Sequence, residues 1–399
     1  MINEKMKNYG NNRSVIRDLF EFGNQRKAEI GAENVFDFSL GNPNVAAPAD
    51  VNKTMIELLT TKNDIYLHGY TSAQGDAACR QAVVEQLNAK YGTSFRKENL
   101  YMTCGAAASL KIILTALYTE GDEVVVFTPY FPEYRVFIET TGAKVSECPC
   151  DPDTFQIDFD NLEKALNENT KSVIVNSPNN PSGVVYTEEC IQKLAALLEK
   201  KEEEYGHAIY LITDEPYREL VYDDIVVPFV TKYYRDTVVC YSYSKSLALP
   251  GERIGYVLVP DEIADSKDVY AAVCGAGRAL GYVCAPSLMQ HIIEKCTGQV
   301  SDMNEYREKR DLIYNALTDL GFTCIHPDGA FYLFVKSPVP DANEFSAKAK
   351  EFDLLLVPAD SFGTPGFVRI AYCVATDMIR RSLPAFEKLA ACYQEELKK

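Results

Sequence analysis

The sequence predicts an α/β protein: a mostly parallel sheet in a large domain, followed by a smaller α+β domain. Three observations carry this. Short apolar strands alternate with helical periodicities from about Tyr66 to about Ala285, and repeated βα units of that kind build parallel sheets covered on both faces. Beyond residue 320 two apolar strands and a closing helix break the βα rhythm. At 399 residues the chain exceeds what one core usually serves, so two domains are expected.

In chain order, the turn Thr103-Cys104-Gly105 leads to a helix over residues 110–117, and residues 123–127 (Glu-Val-Val-Val-Phe) form the strand after it. Residues 172–175 are a second strand. A helix from Thr187 to about Glu204 places Ile191, Leu194, Ala195 and Leu198 at the 3.6-residue period. Residues 208–213 and 237–241 are further strands, the latter a β-branched and aromatic run read as buried and parallel. A long amphipathic pattern from about Ser287 to Leu320 predicts one connecting helix. Residues 330–335 and 366–371 read as strands of the smaller domain, closed by a helix from Thr376 onward.

Composition excludes several classes. A formal net charge of −17 argues against nucleic acid or an anionic membrane as partner. No apolar run approaches the roughly 20 residues of a membrane helix. The start, Met1-Ile2-Asn3-Glu4-Lys5, lacks the apolar core of a signal peptide. Twelve cysteines are scattered without a Cys-x-x-Cys pair, and His68, His207, His291 and His326 share no ligand spacing. No metal site is expected, and reduced thiols in the cytoplasm fit best.

The most informative stretch is Ser242-Tyr243-Ser244-Lys245, followed by Leu249-Pro250-Gly251-Glu252-Arg253-Ile254-Gly255. It joins an amine, two hydroxyls and a guanidinium at the end of an apolar strand. A lysine held near an arginine in a dry pocket gives up its proton more easily and attacks carbonyls; alone, the same residues also read as a solvated surface loop. The other strand ends decide, because ligands of open α/β sheets bind beyond the carboxyl ends of the strands.

There, Asp214 reads as a helix N-cap or as a carboxylate that pairs with a protonated ring nitrogen. Asn180 and Tyr217 read as turn residues or as hydrogen-bonding partners of a ring oxygen. Phe131 is a core aromatic or a ring stacked on a flat cofactor. Gly105-Ala106-Ala107-Ala108-Ser109 opens a helix whose free N–H groups and positive dipole end suit a phosphate. With Ser242, Ser244 and Arg253 it makes a phosphate cup.

Taken together, the chain resembles the pyridoxal-phosphate-dependent class I aminotransferases of the aspartate aminotransferase fold. The resemblance runs from Ser14-Val15-Ile16-Arg17 and Gly41-Asn42-Pro43 to Val368-Arg369-Ile370. It passes through Tyr70-x4-Gly75, Gly105-Ala106, Asn180-Pro181-x-Gly183, Asp214-x-x-Tyr217 and Ser242-x-Ser244-Lys245-x7-Arg253-x-Gly255. It implies a three-layer fold with a seven-stranded sheet in a large cofactor domain, residues 46–286. Residues 1–45 and 287–399 would form the small domain with an N-terminal arm.

The resemblance also implies the site. Lys245 would carry pyridoxal 5′-phosphate as a Schiff base and then shuttle the proton of the substrate α-carbon. Asp214 would keep the ring nitrogen protonated, and Asn180 and Tyr217 would bind the ring 3′-oxygen. Ser242, Ser244, Arg253 and the amides of Ala106 and Ala107 would hold the phosphate. Tyr70 would reach the phosphate of the neighbouring subunit, which implies a homodimer with shared sites. Arg369 would clamp the substrate α-carboxylate, with Gly41 and Asn180 bordering it and Val15 and Ile16 as an apolar lid.

Two positions depart from the pattern. Many relatives carry a hydroxyl where Ala107 stands, so the missing phosphate bond would come from backbone, water or Ser109. Arg278, in Gly277-Arg278-Ala279-Leu280-Gly281-Tyr282, lies near the position of the partner-subunit arginine that binds a distal carboxylate in aspartate-specific members. The expected function is amino transfer between an amino acid and a 2-oxoacid, with aspartate and 2-oxoglutarate leading. The alternatives are a C–S β-lyase or an aminotransferase for alanine, aromatic or other neutral amino acids.

Overall fold

The computed structural model describes residues 2–11 and 15–398. Met1, in the stretch weighed as a leader, and Ser14, which opens the first family motif, lie outside the described residues. The centre is a seven-stranded sheet built from β1 (Leu100–Thr103), β2 (Glu123–Thr128), β3 (Lys144–Pro149), β4 (Thr170–Asn176), β5 (Tyr210–Asp214), β6 (Thr237–Ser242) and β7 (Gly255–Leu258). Its order is β1-β7-β6-β5-β4-β2-β3. All pairings are parallel except those of β7, which runs antiparallel to both neighbours.

The strands alternate their side chains between two buried faces. Val124, Val126, Ile174, Ile212 and Val238 enter one apolar cluster, while Val125, Phe127, Val173, Val175 and Leu211 enter another. Both faces are dry, which is why these segments read as continuous apolar runs. Each such side chain contributes about 1.5–3 kcal/mol on burial.

The helices follow from local signals. Helix α1 (Ala106–Leu117) starts four residues earlier than the apolar pattern predicts, directly after Gly105. Then come α2 (Glu133–Glu139) and α3 (Glu188–Tyr205). Thr187 caps α3 by accepting from the Cys190 amide, and Gly206 ends it at φ +73°. The single turn α4 (Tyr243–Ser246) carries Lys245, and α5 (Ser266–Ala279) packs on α1.

The single connecting helix predicted over 287–320 is in fact two, α6 (Ser287–Cys296) and α7 (Met303–Asp319). Gly298 adopts φ +85°, and the Asp302 carboxylate restarts the helix by accepting from the amides of Asn304 and Glu305. The amphipathic period continues across a break that Thr297, Gly298 and Asp302 impose.

A second, antiparallel sheet holds β8 (Cys324–Ile325), β9 (Tyr332–Lys336), β10 (Val357–Pro358) and β11 (Phe367–Ala371) in the order β10-β11-β9-β8. Its core joins α7 and the closing helix α8 (Thr376–Ala391) around Phe331, Leu333, Ile313 and Phe386. No helix among the described residues is long and apolar enough to cross a membrane.

Candidate active site

Strand register brings the polar residues together. Asn176 stands opposite Asp214, Asp214 opposite Cys240, and both Ser242 and Thr103 opposite Gly255. The carboxyl ends of β1, β4, β5 and β6 therefore share one edge with the start of the antiparallel β7. A cavity of about 310 Å³ opens above that edge, lined by Lys245, Asp214, Asn180, Tyr217, Phe131 and Arg369. Gly41, Ala106, Ala107, Ser242, Ser244 and Arg253 complete its polar ends, and Ile16 closes it from the N-terminal segment.

One end is a cup for an anion. The Ser242 and Ser244 hydroxyls lie 2.7 Å apart, and Arg253 reaches the Ser244 hydroxyl at 3.4 Å and the Pro250 carbonyl at 2.9 Å. Gly105, at φ +91°, precedes α1, and a Cβ there would meet Arg253 Nη2 at 2.8 Å. A Cβ on Gly255 would stand 2.2 Å from the Tyr241 carbonyl oxygen. The glycines keep the cup small enough for backbone amides to face its contents. Ser109 adds nothing to it: fully buried, its hydroxyl contacts Thr103 Oγ1 at 2.7 Å and donates to the Tyr256 carbonyl at 3.1 Å.

Lys245 donates to the Gly41 carbonyl at 2.6 Å and lies 5.1 Å from the Phe331 ring centroid. Burial, opposed by Cys373 and helped by the charges of Arg253 and Arg369, lowers its ammonium from 10.5 to about 8. Asp214 accepts from the Tyr134 hydroxyl at 2.5 Å through Oδ2, while its Oδ1 is buried without a partner. Burial raises this carboxyl to about 7, Tyr134 opposing and the Glu215 charge adding. Behind it, Glu215 pairs with Arg218 at 2.8 Å, both buried.

At the opposite end stands Arg369, buried on β11. It donates to Asn180 Oδ1 at 3.1 Å and to the Ser39 carbonyl at 2.6 Å, and its Nε is buried without a partner. Its guanidinium lies over Tyr332, 4.7 Å from the ring centroid, and burial lowers its proton affinity. The Tyr217 and Tyr332 hydroxyls meet at 2.8 Å.

Tyr70 and Arg278 are exposed and lie outside this cavity, and Val15 packs against the apolar cluster that holds Phe127 and Val175 instead of lining it. Sequence reasoning missed Tyr134, Tyr332, Leu40 and Asn176. A signal existed for Tyr134, which sits three residues past Phe131 and so on the same side of a helical turn; Tyr332 was hidden inside an apolar strand.

A buried amine, a buried carboxylate and a buried guanidinium thus line one cavity, with two hydroxyls and a second guanidinium at its end, on an aspartate aminotransferase-like α/β fold. The chain belongs to the aminotransferase class I and II family, whose sequence model matches residues 33–386, and the protein is an aminotransferase. An amino transferase from Eubacterium rectale of known structure is 59% identical, covers 98% of this chain and 99% of its own, and superposes with a TM-score of 0.96. A probable aspartate aminotransferase of Methanocaldococcus jannaschii is 29% identical over 98% of this chain and its own full length. A probable N-acetyl-LL-diaminopimelate aminotransferase of Bacillus subtilis is 30% identical over 89% of each chain.

Proposed function

We propose that this aminotransferase uses pyridoxal 5′-phosphate to move an amino group between an amino acid and a 2-oxoacid in a ping-pong cycle. The observation that carries this reading is the placement of Lys245 in one cavity with Asp214 and Arg369. The residues fit the cofactor. The partnerless, buried Asp214 Oδ1 matches a protonated ring nitrogen, and the cup of Ser242, Ser244, Arg253 and the amides of Ala106 and Ala107 matches a phosphate. When bound, the cofactor supplies an electron sink for the carbanion formed at the substrate α-carbon.

The chain's own groups supply the rest. Asp214, ionised by contact with a cation, holds the ring nitrogen charged. Phe131 offers a flat face, and the Tyr217 hydroxyl and the Asn180 amide offer donors to a ring oxygen. The Arg369 fork, pre-set by Asn180 and Ser39, receives the α-carboxylate. Lys245 Nζ, partly neutral at physiological pH because burial lowers its proton affinity, would take the substrate α-proton as a general base and give a proton back as a general acid on the cofactor side of the new C–N bond. Ile16 and Leu40 restrict water at the mouth.

Aspartate with 2-oxoglutarate is the leading substrate pair. The amino acids in the names of the two relatives above each carry a second carboxylate, and Arg278 is the cation proposed to meet it from a partner subunit. The same assembly, a homodimer with shared sites, would give Tyr70 a phosphate to bind; Tyr70 is 89% exposed, and its chain neighbours Ile65 and Tyr66 are exposed as well. The apolar wall of Ile16, Leu40, Phe131 and Tyr332 supports a second reading, a neutral or aromatic side chain.

The test compares wild type with Lys245→Ala and Arg278→Ala, assaying aspartate, alanine and phenylalanine with 2-oxoglutarate. Lys245→Ala should lose all keto-acid-dependent transfer and the cofactor absorbance bound through the lysine. Arg278→Ala should lose activity on aspartate alone. Transfer undiminished in Lys245→Ala defeats the mechanism; aspartate activity unchanged in Arg278→Ala assigns the distal carboxylate to another group, and wild-type activity on alanine or phenylalanine without activity on aspartate moves the substrate to the neutral class.

A further inference from the structure

We propose that Tyr134 is a positioning residue for Asp214: its hydroxyl occupies one carboxylate oxygen so that the other is presented, fixed and unpaired, to the ring nitrogen of the cofactor. The inference rests on the proposed use of pyridoxal 5′-phosphate. The Tyr134 hydroxyl donates to Asp214 Oδ2 at 2.5 Å, the two residues being 1% and 4% exposed. Oδ1 is buried and has no partner. The Asn176 amide bonds the Asp214 backbone carbonyl at 2.8 Å, not the carboxylate, so that amide does not set the carboxylate's rotation.

The groups facing the carboxylate leave Tyr134 as its support. Glu215 follows it in the chain with its charge paired to Arg218, Cys240 lies beside it on β6, and Tyr217 bonds Tyr332 instead. Lys245, in the same cavity, bonds Gly41. A buried carboxylate without a hydrogen bond is costly and neutralises itself, and a neutral carboxyl cannot hold a ring nitrogen charged. Tyr134 opposes that neutralisation. Its ring also stands edge-on to Phe131, centroids 5.7 Å apart at 88°, so one side chain braces both the flat face and the carboxylate.

A tyrosine that merely fills the core predicts a different result from one that positions Asp214. Tyr134→Phe keeps the ring and its contact with Phe131 while deleting the hydroxyl. The readouts are the dissociation constant of pyridoxal 5′-phosphate from the apoprotein, by fluorescence titration between pH 5 and 9, and the pH titration of the bound-cofactor absorbance. In Tyr134→Phe the affinity at pH 8 should weaken about tenfold, and the pH midpoint below which wild type loses affinity should move upward by about one unit. In an Asp214→Asn background the same substitution should change affinity less than twofold, because the oxygen it serves no longer carries charge.

An unchanged affinity and midpoint in Tyr134→Phe, with wild-type binding intact, overturns this inference alone. An equal loss in both backgrounds also overturns it, since the hydroxyl would then act through packing. Absence of pyridoxal 5′-phosphate binding by wild type defeats the functional reading and this inference with it. Apoprotein melting temperatures, expected within a few degrees of wild type, confirm that each variant is folded; should Tyr134→Phe unfold, Tyr134→His, which keeps a ring donor, should fold and bind pyridoxal 5′-phosphate within about tenfold of wild type at pH 8, and a folded Tyr134→His with a greater loss, or one that also fails to fold, overturns the inference.

Discussion

The Lys245 ammonium donates to the Gly41 carbonyl at 2.6 Å across 204 residues of sequence. The contact fastens the turn after β6 to the segment that leaves the short parallel pair of Phe36–Asp37 with Leu354–Leu355. Glycine is required there by space, since a Cβ on Gly41 would stand 2.1 Å from Tyr332 Oη. The amine is thereby held at the junction of the two sheets, between the anion cup and Arg369.

That enclosure makes Lys245 easier to deprotonate than an exposed lysine. Its pKa falls from 10.5 to about 8, chiefly by burial, so a large neutral fraction exists where surface lysines remain charged. Borohydride trapping of pyridoxal followed by peptide mapping should label Lys245 ahead of the exposed lysines, half-maximally near pH 8. Exposed lysines should require about two more pH units. Labelling of Lys245 no earlier than the surface lysines would contradict the assignment.

Asp214 makes stability depend on pH in the opposite way to an ordinary ion-paired carboxylate. Burial lifts it from 3.8 to about 7, so between those values the folded apoprotein holds a proton that the unfolded chain has released. Its stabilising contribution is complete below about pH 4 and is lost as pH rises through 7. Asp214→Asn should therefore leave apoprotein stability nearly unchanged at pH 4 and raise it at pH 8 by up to about 4 kcal/mol, at ~1.36 kcal/mol per unit. Urea unfolding at the two pH values reads the difference; an identical effect at both would show that the carboxyl is not perturbed.

How far the sequence revealed this site depends on where each residue stands. Lys245, Asp214, Asn180 and Ser242 end or follow apolar strands, and a parallel sheet gathers such positions whatever the strand order. Tyr332 instead lies within the apolar run of β9 and reaches the cavity because β9 pairs with β11, Phe334 facing Arg369, a pairing that no local pattern encodes. Ser109 misled for a related reason: three residues past Ala106, it turns toward β7 while Ala106 and Ala107 face the cavity. The division of the 287–320 stretch was hidden because its apolar period survives the interruption at Gly298.

Arg369 carries the sharpest test of the substrate-facing end. Its fork is held by Asn180 and Ser39 and by the rings of Tyr332 and Phe362, 4.7 and 5.1 Å from its guanidinium carbon. A lysine keeps the charge but loses the planar pair of donors. Arg369→Lys should therefore cost about 2–4 kcal/mol of substrate binding, a fall of roughly 30- to 1,000-fold in kcat/KM for α-amino acids. Primary amines that lack the α-carboxylate offer the control, because they give the fork nothing to hold. Wild type and Arg369→Lys should act on such amines at comparable low rates. If the variant still discriminates strongly between an amino acid and its decarboxylated counterpart, the carboxylate is recognised by another group, and the bond between Arg369 and Asn180 serves only to join the small sheet to the large one.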